Sequence, residues 1–209
     1  MLGEYLGAGA STTKLLLHLN GNSTDSSGNN NVGTNYDMSF TNGDGIFNGS
    51  SSRINYTKSS NNYLINNWTM IAIWKKTSTT KTHSAIYQMG NCGLTTTYAH
   101  YYNSTSDKDR DIVDNLEPMD IKYYHTSVWT KSSSSPGGKL FVDNRLAGTN
   151  TNTDDSSNSY INVNVGRFDA PGNHWGQGYI GEFILENRVW NVSEVIKYTT
   201  YSKGRFGIL

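Results

Sequence analysis

Between Asn67 and Thr77 the chain places Trp68, Met70, Ala72 and Trp74 on one side and Thr69, Ile71, Ile73 and Lys75 on the other. A period-two run that is apolar on both sides at its centre fits an interior strand covered on both faces. The same alternation recurs. It groups Leu94, Thr96, Tyr98, His100 and Tyr102 over 94–102, and Ile121, Tyr123, His125, Ser127 and Trp129 over 120–131. Over 160–165 it turns Ile161, Val163 and Val165 inward against Asn162 and Asn164. Breakers separate these runs: Gly43-Asp44-Gly45, Asn48-Gly49 and Pro136-Gly137-Gly138. Asp143-Asn144, between Lys139–Val142 and Arg145-Leu146, predicts a two-residue hairpin, because Asn and Asp tolerate φ > 0. One helix is expected over Ser193–Thr200, with Ser193 as N-cap and Glu194 in the first turn. Many short strands and one helix predict an all-β, two-sheet antiparallel sandwich. No composition shift marks a boundary, so residues 1–209 read as one domain with an N-terminal arm over 1–13.

Charge narrows the partners. Lys and Arg total 17, as do Asp and Glu. Such a balance argues against nucleic acid, where affinity rests on clustered cations facing phosphates. Leu15-Leu16-Leu17 is the longest apolar run, far short of the ~20 residues of a membrane helix. Residues 1–14 lack the basic start and apolar stretch of a secretory leader. Cys92 is the only cysteine, so the fold has no intramolecular disulfide, and Cys92 reads as a small buried apolar residue.

Several segments in order resemble the laminin-G-like, concanavalin-A-like jelly-roll domains. The likeness begins with Leu15-Leu16-Leu17-His18-Leu19-Asn20-Gly21 and the loop Asp25-Ser26-Ser27-Gly28-Asn29. It continues through Ile46-Phe47-Asn48-Gly49, the 68–74 strand, Leu140-Phe141-Val142-Asp143-Asn144 and Asn164-Val165-Gly166-Arg167. It closes with Gly178-Tyr179-Ile180-Gly181-Glu182-Phe183, Asn187-Arg188 and Ser193-Glu194-Val195. The resemblance implies a sandwich with a gently concave face. It implies no activity by itself, since function lives in sites placed on folds.

Residues must therefore choose the function. Glycan cleavage needs two carboxylates flanking the scissile bond. Glu182 and Glu186 come nearest, but Ile184 stands where glucan-cleaving relatives carry a central Asp. The segment reads as a structural strand and the protein as a non-enzyme. Binding is the better expectation, because sugar rings stack on Tyr and Trp while polar side chains bond the hydroxyls. The segment 169–176 offers Asp169, Asn173, His174 and Trp175 between two strands, and the tyrosine clusters add Tyr101 and Tyr124. Trp175 has two open roles, a stacking platform or a packing wedge. For calcium, which relatives often bind, the candidates are Asp25, Asp44 and Asp169 in loops. The expected partner is a cell-surface or polymeric carbohydrate, without nucleic acid or membrane insertion, and with a homo-oligomer or a larger particle as the setting. A carbohydrate-binding or adhesion module of a virus or phage is the first expectation. A ligand-free decoration or assembly domain and a glycoside hydrolase are the alternatives. The expected location is the virion or cell exterior, reached without a leader of its own, or otherwise the cytoplasm.

Overall fold

The computed structural model describes residues 12–41, 43–57, 67–78, 84–90, 92–96, 99–103, 108–113, 120–134, 137–150, 162–168 and 174–207. Two large antiparallel sheets carry these residues. In order across the first sheet lie β13 (Arg145–Asn150), β12 (Gly138–Val142), β11 (His125–Lys131), β6 (Trp68–Lys76), β17 (Gln177–Glu186), β4 (Gly45–Asn48) and β3 (Ser39–Phe40). β1 (Thr13–His18) also pairs with β17. The second sheet runs β10 (Lys108–Val113), β9 (Ala99–Asn103), β8 (Cys92–Thr95), β7 (Ala85–Met89), β14 (Asn162–Val165), β5 (Arg53–Thr57) and β2 (Gly33–Tyr36). A two-strand ribbon, β15 (Arg167–Phe168) with β16 (His174–Trp175), and a helix, α1 (Val192–Phe206), complete the described elements.

The alternation in β6 explains the layering. Trp68, Met70, Ala72 and Trp74 join the core between the sheets, where Trp68 meets Trp129 edge-on at 5.4 Å. Ile71 and Ile73 face the other way, into a second core with Leu16, Val128, Ile184, Trp190, Val195 and Tyr198. The helix therefore forms a third layer over the outer face of the first sheet. An apolar residue on that face is buried too, which is why β6 carries no polar side.

The hairpin forms as expected: Asp143 and Asn144 have φ of 48° and 69° between β12 and β13. Several boundaries differ. The 94–102 run is two strands, β8 and β9, and strand pairing before Lys131 begins only at His125. The arm expected through residue 13 ends sooner, since Thr13 opens β1 and the hydroxyls of Thr12 and Thr13 donate to Glu186. The helix is longer than expected and its cap is Asn191, not Ser193. Asn191 accepts from the Glu194 N–H while the Glu194 carboxylate accepts from the Asn191 N–H, a reciprocal capping box. Continuation to Phe206 follows from Tyr198, Thr199 and Ser202, which extend the buried stripe against the sheet. Cys92 is buried and forms no disulfide within the chain.

Candidate functional site

Glu182 and Glu186 project from β17 toward the helix layer, and both are fully buried. Glu182 accepts from Tyr198 Oη at 2.5 Å and Arg205 at 2.6 Å, and its Oε2 lies 2.7 Å from His18 Nδ1. Burial, then the Glu182 carboxylate, pushes the Tyr198 phenol well above its ordinary value and keeps it a donor. Glu186 accepts from Thr12 and Thr13 and lies 3.3 Å from Arg188 Nε. These carboxylates are closed into the fold and present no open face to a substrate.

Asp25 is equally engaged. Its two oxygens accept five bonds, from the N–H groups of Leu16, Ser27 and Asn31, the Ser27 hydroxyl and the Asn31 amide. The carboxylate thus pins the 25–31 loop to β1, so the Asp25 expected as a calcium ligand has its lone pairs already taken. Burial pushes its pKa up, but the bonds from Ser27, Asn31 and Leu16 outweigh burial and hold it below the usual carboxylate value. A depressed folded-state pKa gives stability above the unfolded pKa of about 4, which is lost as pH falls through the lowered value. Asp25→Ala is expected to cost about 2 kcal/mol at neutral pH and to flatten the acid limb of the melting profile. An unchanged pH profile by calorimetry would contradict this role.

Asp44 and Tyr124 were separate expectations, one for metal and one for ligand; the fold joins them. Tyr124 Oη donates to Asp44 Oδ2 at 2.6 Å. The second Asp44 oxygen is buried without a hydrogen bond, and burial raises the Asp44 carboxyl despite Tyr124, Lys75 and Arg205. Asp169 and Asn173 lie outside the described residues, as does the Tyr101 side chain. The Tyr101 backbone pairs with Cys92 and Arg110. Among the described residues no group of three or more His, Cys, Asp or Glu could hold a metal.

His174 and Trp175 form β16, and both are half-buried. His174 stacks on Phe168 with 6.2 Å between ring centroids. Trp175 pairs across the ribbon with Arg167, whose guanidinium lies 4.7 Å from the indole centroid. A second guanidinium, Arg53, lies 5.8 Å from the same indole and 3.8 Å from the ring of Tyr36. Tyr36 and Arg53 are opposed in the β2–β5 register, and Tyr36 is 40% exposed. Among the described residues Arg53 makes these ring contacts and no ion pair. Sequence reading missed Tyr36, Arg53 and Arg167, because only strand pairing brings them to Trp175. The edge is an aromatic surface carrying guanidinium N–H donors, suited to a ring with hydroxyl or acidic substituents.

No family model and no curated protein matches the chain. Solved structures do. The binding domain of botulinum neurotoxin serotype D superposes with a TM-score of 0.72 at 14% identity, covering 92% of this chain and 52% of that one. The fold is shared with botulinum neurotoxin receptor-binding domains. A second match, to the binding domain of botulinum neurotoxin DC in complex with rat synaptotagmin II, has a TM-score of 0.69 at 12% identity and covers 93% of this chain and 52% of that one. A third concerns botulinum neurotoxin type C, whose cell entry is described as dependent upon interaction with two ganglioside molecules. Its TM-score is 0.67 at 13% identity, with 92% and 51% covered. This chain thus spans about half the length of the structures it matches, and the likeness at these identities is one of fold.

Proposed function

We propose that the protein is a non-catalytic glycan-recognition module on a lectin-like jelly-roll sandwich, acting at a cell or particle surface. The ligand is an acid-bearing glycan held at the Trp175 edge. One observation carries this reading: the Arg53 guanidinium lies 3.8 Å from the Tyr36 ring and 5.8 Å from the Trp175 ring, without a carboxylate partner among the described residues. A sugar ring has an apolar C–H face for the indole, and a carboxylate or sulfate on it supplies a counter-charge to the Arg53 guanidinium. The ganglioside and receptor binding of the structural neighbours supports the class of function. The engaged Glu182 and Glu186 support its being non-catalytic.

The test is a glycan array probed with the intact chain, comparing acidic glycans with their carboxyl-reduced or desulfated forms. Binding to the acidic set that weakens as salt rises is expected, since exposed charge pairs are screened. Equal binding to the neutral forms, or no binding, contradicts the proposal.

A second reading, as an assembly domain, is favoured by exposed Val189, Val192 and Ile196, at 38%, 52% and 43%. Light scattering over a concentration series separates the two. A monomer that binds glycans supports recognition, and an oligomer dispersed by Ile196→Asp supports assembly.

A further inference from the structure

On the opposite side of the first sheet, where the last turn of α1 passes the β3–β4 loop, a groove of about 540 Å³ opens between Asn20, Gly43, Asp44, Tyr124, Arg205 and Phe206. It adjoins a second cavity of about 500 Å³ that shares Asn20 and Arg205 and runs along His18, Asn22, Thr24 and Ser26. Each volume lies within the roughly 300–1,000 Å³ of small-molecule sites. A close backbone approach shapes the floor. Gly181, the bulged residue of β17, faces Phe206, and any side chain there would collide with that ring and crowd Asp44.

The wall chemistry selects a ligand by exclusion. Arg205 in the wall, with Lys75 lying 5.7 Å from the Tyr124 ring, disfavours a bound metal cation. The Asp44 carboxylate beside them disfavours a free anion. What fits is a neutral molecule that donates to a carboxylate, accepts from a guanidinium and exchanges both with an amide. Vicinal hydroxyls do all three. The protein side has capacity to spare: among the described residues the exposed Asn20 side chain makes no hydrogen bond, and the carboxylate of Asp44, which lines the groove, takes a single one, from Tyr124 Oη. Phe206 and Tyr124, 5.6 Å apart, offer apolar ring surface against which a sugar face can lie.

We infer that this groove is a second saccharide site, taking a neutral pyranose through its vicinal hydroxyls at Asn20, Asp44 and Arg205. It is independent of the Trp175 edge in position, charge and ligand.

Saturation-transfer NMR on the full chain, with glucose, galactose, mannose and N-acetylglucosamine each at millimolar concentration, tests it. At least one sugar binds, and Asp44→Asn weakens it about tenfold, the loss of a hydrogen bond to a charged group. Asn20→Ala weakens it too, and because Asn20 is exposed and unbonded this variant keeps its fold. Trp175→Ala leaves the affinity unchanged. The inference is overturned if none of the four sugars binds, if binding survives both groove substitutions, or if Trp175→Ala abolishes it.

Discussion

Glu182→Ala is expected to lower the melting temperature by on the order of 10 °C, from a loss of about 3–5 kcal/mol. The carboxylate is fully buried, with Tyr198 and Arg205 donating to it and His18 at 2.7 Å. Its removal leaves a phenol without its acceptor and a guanidinium without its counter-charge beneath the helix, and unpaired buried groups carry the full cost of desolvation. Glu182→Gln keeps an acceptor in place and gives up only the charge, so it should fall between wild type and alanine. Because the helix layer hangs on this residue, the loss should appear in one cooperative unfolding transition. A melting temperature within two or three degrees of wild type would show that the network contributes little, and would reopen the question of why a carboxylate is buried there.

The sandwich was legible where one short segment settles its own structure. Trp68–Lys76 alternates so strongly that both of its packing partners follow from it, and Asp143-Asn144 sets its hairpin through two residues that tolerate positive φ. The helix was legible in type but not extent. Its cap depends on the reciprocal Asn191–Glu194 bonds, and its last turns are held by burial of Tyr198 and Ser202 against a sheet that a local reading cannot supply. What holds Asp25, an acidic loop residue that suggested a metal, was not legible either: it is bonded by its own loop and by β1.

The candidate site divides along the same line. His174 and Trp175 could be picked out as an aromatic pair in a Gly- and Asn-rich segment. Arg53 and Tyr36 carry no such mark, and they reach the indole through the β2–β5 register and the placement of the ribbon. Tyr124 and Asp44, eighty positions apart, were singled out for unrelated reasons and became one hydrogen-bonded pair. Long-range strand pairing decided each of these, and periodicity carries no information about which strands pair.

Trp175→Ala is expected to weaken glycan binding about 30-fold, the ~2 kcal/mol typical of an aromatic anchor at a recognition surface. Its structural cost should be small. The indole is half-buried on a two-residue strand, and its ring contacts among the described residues are with the guanidiniums of Arg53 and Arg167, pairings worth about 0.5–1 kcal/mol each at exposed sites. A Trp removed from a closed core would instead cost about 3–5 kcal/mol.

The central claim is most directly tested by measuring glycan affinity and melting temperature on the same preparations of wild type and Trp175→Ala, using an acidic glycan that the wild type binds. Recognition at this edge predicts a large loss of affinity with a melt shifted by no more than a few degrees. A large fall in melting temperature with affinity retained by the folded fraction would make Trp175 a packing wedge and contradict the account.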